Sequence, residues 1–174
     1  MTTQAQPTIE ATQMLAELDA EASATRRVLE RVPADRLTWK PHPKSLTLGQ
    51  LARHVARIPG DLAHIARDDS FDNATPRNVH AQPESAAELM PALEASLTAA
   101  RAFLEELTEA KAAAPWRMMD GPREIFAIPR RAFVRSVLLN HWYHHRAQLM
   151  VYLRLLDVPV PAVYGGSADE KAFG

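Results

Sequence analysis

Apolar residues recur at three- and four-residue steps along four stretches of the chain, and the steps are those of amphipathic helices. The first stretch runs from about Ile9 to Arg31, through Met14, Leu15, Leu18, Ala22, Val28 and Leu29, with Pro33 stopping it soon after. The second carries Leu48, Leu51, Val55, Ile58, Leu62 and Ile65. Thr47-Leu48-Gly49-Gln50 opens it as a capping box, and Pro59-Gly60 inside the stripe predicts a kink or a short break. A third begins at Ser85-Ala86-Ala87-Glu88, again a capping-box pattern, and continues through Leu89, Leu93, Leu97, Ala100, Leu104 and Leu107 to about Ala113. Pro91 should distort its first turns. The fourth runs from about Arg130 to Leu156 and ends at Asp157-Val158-Pro159.

Between the stripes the chain reads as loop. Residues 34–45 hold two prolines, 68–83 are polar, and 114–129 are irregular apart from a short extended piece at Glu124–Ile128. The expectation is an all-α fold, a four-helix bundle with long inter-helix connections, forming one domain over 1–174. Residues 1–8 are expected to be disordered and 162–174 to form a C-terminal tail without a helix of its own.

Composition narrows the chemistry. The chain has no cysteine, so disulfides, cysteine-ligated clusters and a cysteine nucleophile are excluded, and any metal must sit on nitrogen and oxygen ligands. A net charge of −1 gives no reason to expect nucleic acid or an anionic membrane as partner. No run approaches the roughly 20 apolar residues of a membrane span. The N-terminus lacks a basic region followed by an apolar run, so a soluble, cytoplasmic protein is expected.

The loudest feature is HWYHHRAQL at 141–149. With about 100° per residue and His141 at zero, His145 falls at about 40°, Gln148 at about −20° and His144 at about −60°. The apolar face of the same helix centres near roughly 60–70°. His141 and His145 therefore turn inward as an i, i+4 pair able to share one ion, whereas His144 faces the rim or solvent. On the second helix His54 lies at the margin of the apolar stripe, so a bundle can bring it to the pair. His64 faces away from its stripe, and His42 and His80 sit in loops. Spacing alone leaves two readings open: a three-histidine metal site, or core-edge histidines with a polar rim. By default Trp142 and Tyr143 pack, and Arg53, Arg57, Arg146 and Arg154 are solvated.

Four segments together carry a resemblance: LTWKP at 37–41, SLTLGQLARHV at 45–55, NHWYHHRAQL at 140–149 and PAVYG at 161–165. They resemble the DinB/YfiT-like metalloprotein family over roughly residues 30 to 170. The resemblance implies a four-helix bundle holding a divalent metal on three histidines, with open positions for water, and often a homodimer. Carried over by position, the ligands are His54, His141 and His145. Arg146 stands where an arginine usually follows the last ligand, and Ala147 where glycine is common. Related activities are thiol-dependent S-transferases and isomerases, which implies a metal-dependent transferase or hydrolase acting on a small molecule. The thiol, a low-molecular-weight cosubstrate, would have to come from outside this cysteine-free chain. His-only ligation suits zinc, nickel or iron. His144, Gln148, Trp39, Arg57 and Tyr143 are candidates for supporting the ligands or lining the cleft, with Trp116 beside them. The other reading is a non-catalytic, stress-related metal-binding bundle.

Overall fold

The computed structural model describes residues 6–171. Four long helical stretches form the bundle as the stripes predict: α1 (Ile9–Leu29), α2 (Leu48–Arg67), α3 (Leu89–Glu105) and a last one built from α5 (Arg130–Phe133), a π-helical turn (Val134–Leu139) and α6 (Asn140–Leu155). α2 packs between α3 and α6, and α1 packs on α3 and α6. Leu18, Val55, Leu93, Leu97, Leu104, Leu149 and Leu153 are fully buried between them. Leu18, Val55, Leu93, Leu97 and Leu104 all belong to the predicted stripes.

The fold is not purely helical. β1 (Ser70–Asp72) pairs in parallel with β2 (Pro115–Asp120), which pairs antiparallel with β3 (Arg123–Pro129). The extended piece expected at Glu124–Ile128 is thus part of a strand, while the loops expected around it and at 68–83 contribute the other two. The β2–β3 loop is Gly121-Pro122, and Gly121 has φ 57°, which a side chain would resist. The sheet seals the C-terminal end of α2. Trp116 is fully buried with its indole donating to the Ile65 carbonyl at 3.3 Å, and Arg130 donates to the Ala66 and Asp68 carbonyls at 2.7 and 3.1 Å. A guanidinium on the last carbonyls of a helix also faces the negative end of its dipole.

The third predicted helix divides. α3 ends at Glu105, and a short α4 (Glu109–Ala113) begins afresh with Thr108 as its cap, the hydroxyl accepting from Lys111 N–H at 3.4 Å. At the other end Glu88 accepts from the Ser85 N–H at 3.0 Å, the predicted reciprocal half of that box. Both halves of the Thr47–Gln50 box are present, at 3.1 and 3.0 Å. Of the N-terminal stretch expected to be disordered, residues 1–5 lie outside the described residues. Thr8, by contrast, is buried, caps α1 through Ala11 N–H at 2.8 Å and donates its own N–H to Leu107. The tail to residue 171 is tied down without a helix: Glu170 pairs with Arg27 and Arg31, and Asp169 with Arg154. Residues 172–174 of that expected tail lie outside the described residues.

Pro59 does not break α2, which is helical throughout. Proline has no N–H for the Val55 carbonyl. That carbonyl instead accepts the indole N–H of Trp142 at 3.0 Å, from a side chain that is itself fully buried. One residue on, the Gly60 N–H donates to Ser96 Oγ at 2.7 Å, and Ser96 donates to the Arg57 carbonyl at 3.0 Å. A β-carbon on Gly60 would lie 2.7 Å from Ser96 Cα, so glycine is what permits α3 to come this close. The Pro-Gly pair is a docking point for two neighbouring helices.

Candidate metal centre

The Trp142–Val55 bond sits one residue beyond His141 on the last helix and one beyond His54 on α2. It brings the two histidine-bearing faces together. His54, His141 and His145 each offer a ring nitrogen, and these three atoms lie within 4.8 Å of one another. Ring centroids are 5.4 Å apart for His54–His141, 4.7 Å for His54–His145 and 4.5 Å for His141–His145. Bonds of about 2.0–2.1 Å at tetrahedral angles would put ligand nitrogens about 3.3 Å apart. A three-histidine group of this kind could hold a metal ion.

One of the rings is oriented by a neighbour. His145 Nδ1 bonds Gln148 Oε1 at 2.8 Å, which puts the proton on Nδ1 and leaves the Nε2 lone pair free. His141 follows directly on a π-helical segment that ends at Leu139. There the chain bonds five residues back, Asn140 N–H to the Arg135 carbonyl, instead of four.

All three imidazoles are held neutral. Burial is the first cause in each case. For His54, pushed down to about 3, the His145, His141 and His80 rings add to it. For His145, pushed down to about 4, His141 adds and the Gln148 bond opposes. Neutral imidazole is the form that ligates. The sign for stability follows directly. Above the ordinary imidazole value of about 6.5 both folded and unfolded chains carry these rings neutral. Below it the unfolded chain takes up protons that the folded one refuses, so stability falls as pH drops towards the folded values. The metal-free protein should therefore lose melting temperature steadily from pH 6.5 to pH 5, a window in which ordinary carboxylates are largely silent. The double variant His54→Gln/His145→Gln should flatten that slope. An equal slope in both proteins would show that the cluster is not the cause.

The triad opens on a cleft of about 1370 Å³ between α2, α6 and the connection 71–81. Leu46, Ile58, Leu62, Ile65, Phe71 and Tyr152 give it apolar walls, and Arg53, Arg57, Arg77, Asp61 and Gln148 supply polar groups. The candidates named from sequence separate here. Gln148 and Arg57 line the cleft, the latter held by Asp61 at 2.9 Å. His144 is exposed and stacks edge-on beside His145 at 5.0 Å, away from the cluster. Tyr143 points to the other side of the helix and donates to Glu17 on α1 at 2.8 Å. Trp39 packs edge-on against Tyr152 at 5.8 Å, and Trp116 is buried against Phe133; neither lines the cleft.

Two residues behave unlike their sequence reading. Arg146, expected in solvent, is 2% exposed: it pairs with Glu21 at 2.5 Å and also donates to Thr25 Oγ1, the Glu21 carbonyl and Tyr164 Oη. It fastens the last helix and the tail to α1 directly behind His145. His80, set aside as a loop residue, brings its ring to 4.9 Å from that of His54. Its loop is anchored two residues on by Gln82, which accepts from Thr47 Oγ1 at 2.6 Å and donates to the Leu37 carbonyl at 3.2 Å. No periodicity could have signalled a residue delivered by a loop.

A family model described as DinB family matches residues 1–172. Among solved structures, the chain is similar to a DinB-like protein from Bacillus cereus ATCC 10987, at 23% identity and TM-score 0.65, covering 86% of this chain and 95% of that one. It is also similar to a DinB-like protein from Bacillus subtilis, at 19% identity and TM-score 0.64, covering 87% and 96%. At these identities the likeness concerns the fold. No curated protein matches the chain. Among the described residues, no helix is long and apolar enough to cross a membrane.

Proposed function

The chain belongs to the DinB family, and we propose that it binds a divalent transition metal on His54, His141 and His145 and acts as a metal-dependent transferase or hydrolase, with thiol transfer to a small molecule as the leading reaction. The observation that carries this reading is the position of the triad: three neutral imidazoles at the wall of an open cleft, with no carboxylate joining the group among the described residues. When bound, an ion on three neutral ligands keeps its full charge and supplies Lewis-acid chemistry, acidifying a thiol or water brought to it. The chain's own groups do the rest. Gln148 fixes the His145 tautomer, and the apolar cleft wall shields the reacting end of a substrate from bulk water. With no cysteine available, the thiol is a cosubstrate.

The test is metal analysis of the purified protein, followed by a thiol-transfer screen on stripped and reloaded samples with zinc, nickel and iron. The expected result is one equivalent of metal and activity that disappears with stripping and returns on reloading. A protein that takes up no ion would end the proposal. A non-catalytic metalloprotein is the second reading, and the specific support for it is His80, a fourth imidazole beside His54. If His80 closes the shell, cobalt-substituted protein should show an absorption spectrum insensitive to added thiol, and His80→Ala should make it sensitive.

A further inference from the structure

Arginine is the commonest cation in this chain, and almost all of it is matched. Every arginine except Arg53 and Arg77 lies within ion-pair distance of a carboxylate among the described residues. Both exceptions line the same cleft, the one onto which the histidine triad opens. Arg53 is half-buried on α2, adjacent in sequence to His54. Arg77 is exposed on the connection lining the cleft, with its guanidinium carbon 4.1 Å from the Phe71 ring centre. The third cleft arginine, Arg57, is held by Asp61 through two hydrogen bonds of 3.1 and 2.9 Å, so that carboxylate is neutralised in place. The cleft is left with two unmatched guanidinium groups in addition to whatever charge the triad holds.

We propose that the cleft binds a small oxyanion-bearing molecule, its carboxylate or phosphate held by Arg53 and Arg77 while its other end faces the three histidines. A guanidinium presents a planar fork of donors that fits a carboxylate or phosphate on two points, and an apolar wall such as that of Phe71, Leu62 and Ile65 strengthens the attraction by excluding water. Steering adds to this, because a cleft of one sign of charge concentrates ligands of the other. The inference deepens the proposed function by naming the substrate class of the same site, and it rests on that reading for what the far end of the ligand meets.

The experiment uses three probes on the full chain: 3-mercaptopropionate, which carries a thiol and a carboxylate; 2-mercaptoethanol, which carries a thiol alone; and glutarate, which carries carboxylates alone. Titration calorimetry gives the affinities, and thiolate-to-cobalt absorption of the cobalt-loaded protein reports the thiol end. 3-Mercaptopropionate should bind about tenfold or more tightly than 2-mercaptoethanol, and Arg53→Gln/Arg77→Gln should remove that advantage while leaving 2-mercaptoethanol and the absorption band unchanged. Arg53→Lys should restore part of it. An advantage that is absent in the wild type, or that survives in the double variant, overturns the proposal. If neither thiol gives the band, the metal and thiol reading fails instead. The arginines are then judged on metal-free protein: glutarate binding that the double variant abolishes supports them, and no saturable binding overturns them.

Discussion

His54→Ala should weaken metal binding at the proposed site by more than about a hundredfold, beyond the range typical of losing a group that only supports a ligand. His54 is the sole member of the triad that α2 supplies, and its basicity is pushed down to about 3, with burial the first cause. The remaining pair, His141 and His145, sits at i, i+4 on one helix and can offer only a two-point, solvent-facing grip. Competition with a chromogenic chelator reads the affinity directly. His144→Ala is the matched control. It removes an imidazole from the same five-residue cluster but from its exposed side, so its metal affinity should stay within about twofold of wild type, well inside what loss of a supporting group would cause. Equal losses in the two variants would mean that the histidines act as a diffuse patch and not as a triad.

Arg146→Ala should be the most destabilising single change near the site, by about 3–5 kcal/mol in urea unfolding, the range for breaking one side of a buried ion pair. Removal of the guanidinium takes the charged partner from the Glu21 carboxylate, which keeps only the Tyr164 hydroxyl as donor, and takes from Thr25 Oγ1 the donor it accepts. The penalty should shrink substantially in Arg146→Met/Glu21→Leu, where no charge is left behind and the packing is partly kept. The same single variant should expose the tail, so limited proteolysis within 162–171 should accelerate before global unfolding does. If the double variant is as unstable as the single one, the cost lies in lost packing and not in the stranded charge.

The helices were legible because each buries one stripe, and a stripe is a local property. The Thr47–Gln50 box, the inward turn of His141 and His145 and the outward turn of His144 all follow from the same periodicity. What escaped reading depends on partners distant in sequence. β1 and β2 are joined across a long intervening segment, and β2 has no alternation to announce it: Trp116 is buried and the next three side chains are half-buried on both faces. Arg146 reads as a surface arginine until Glu21 and Thr25, far upstream, are seen beneath it. Pro59 reads as a break until Trp142 supplies the donor that proline lacks. The π-helical turn keeps the apolar stripe intact, so no pattern of residue types distinguishes it from a regular helix.

The bond from the Trp142 indole to the Val55 carbonyl has a consequence for how the cell would see this protein. It fixes the spacing of the two ligand-bearing helices from within the core, by a contact that involves no ion. At the proposed site folding would then not depend on loading, unlike a zinc finger, where the two are one. Scarcity of metal would leave the amount of intact chain unchanged and alter only the fraction charged. If the proposed site takes up its ion, the pool of empty protein would be a reserve that the next supply of ion could load without new synthesis.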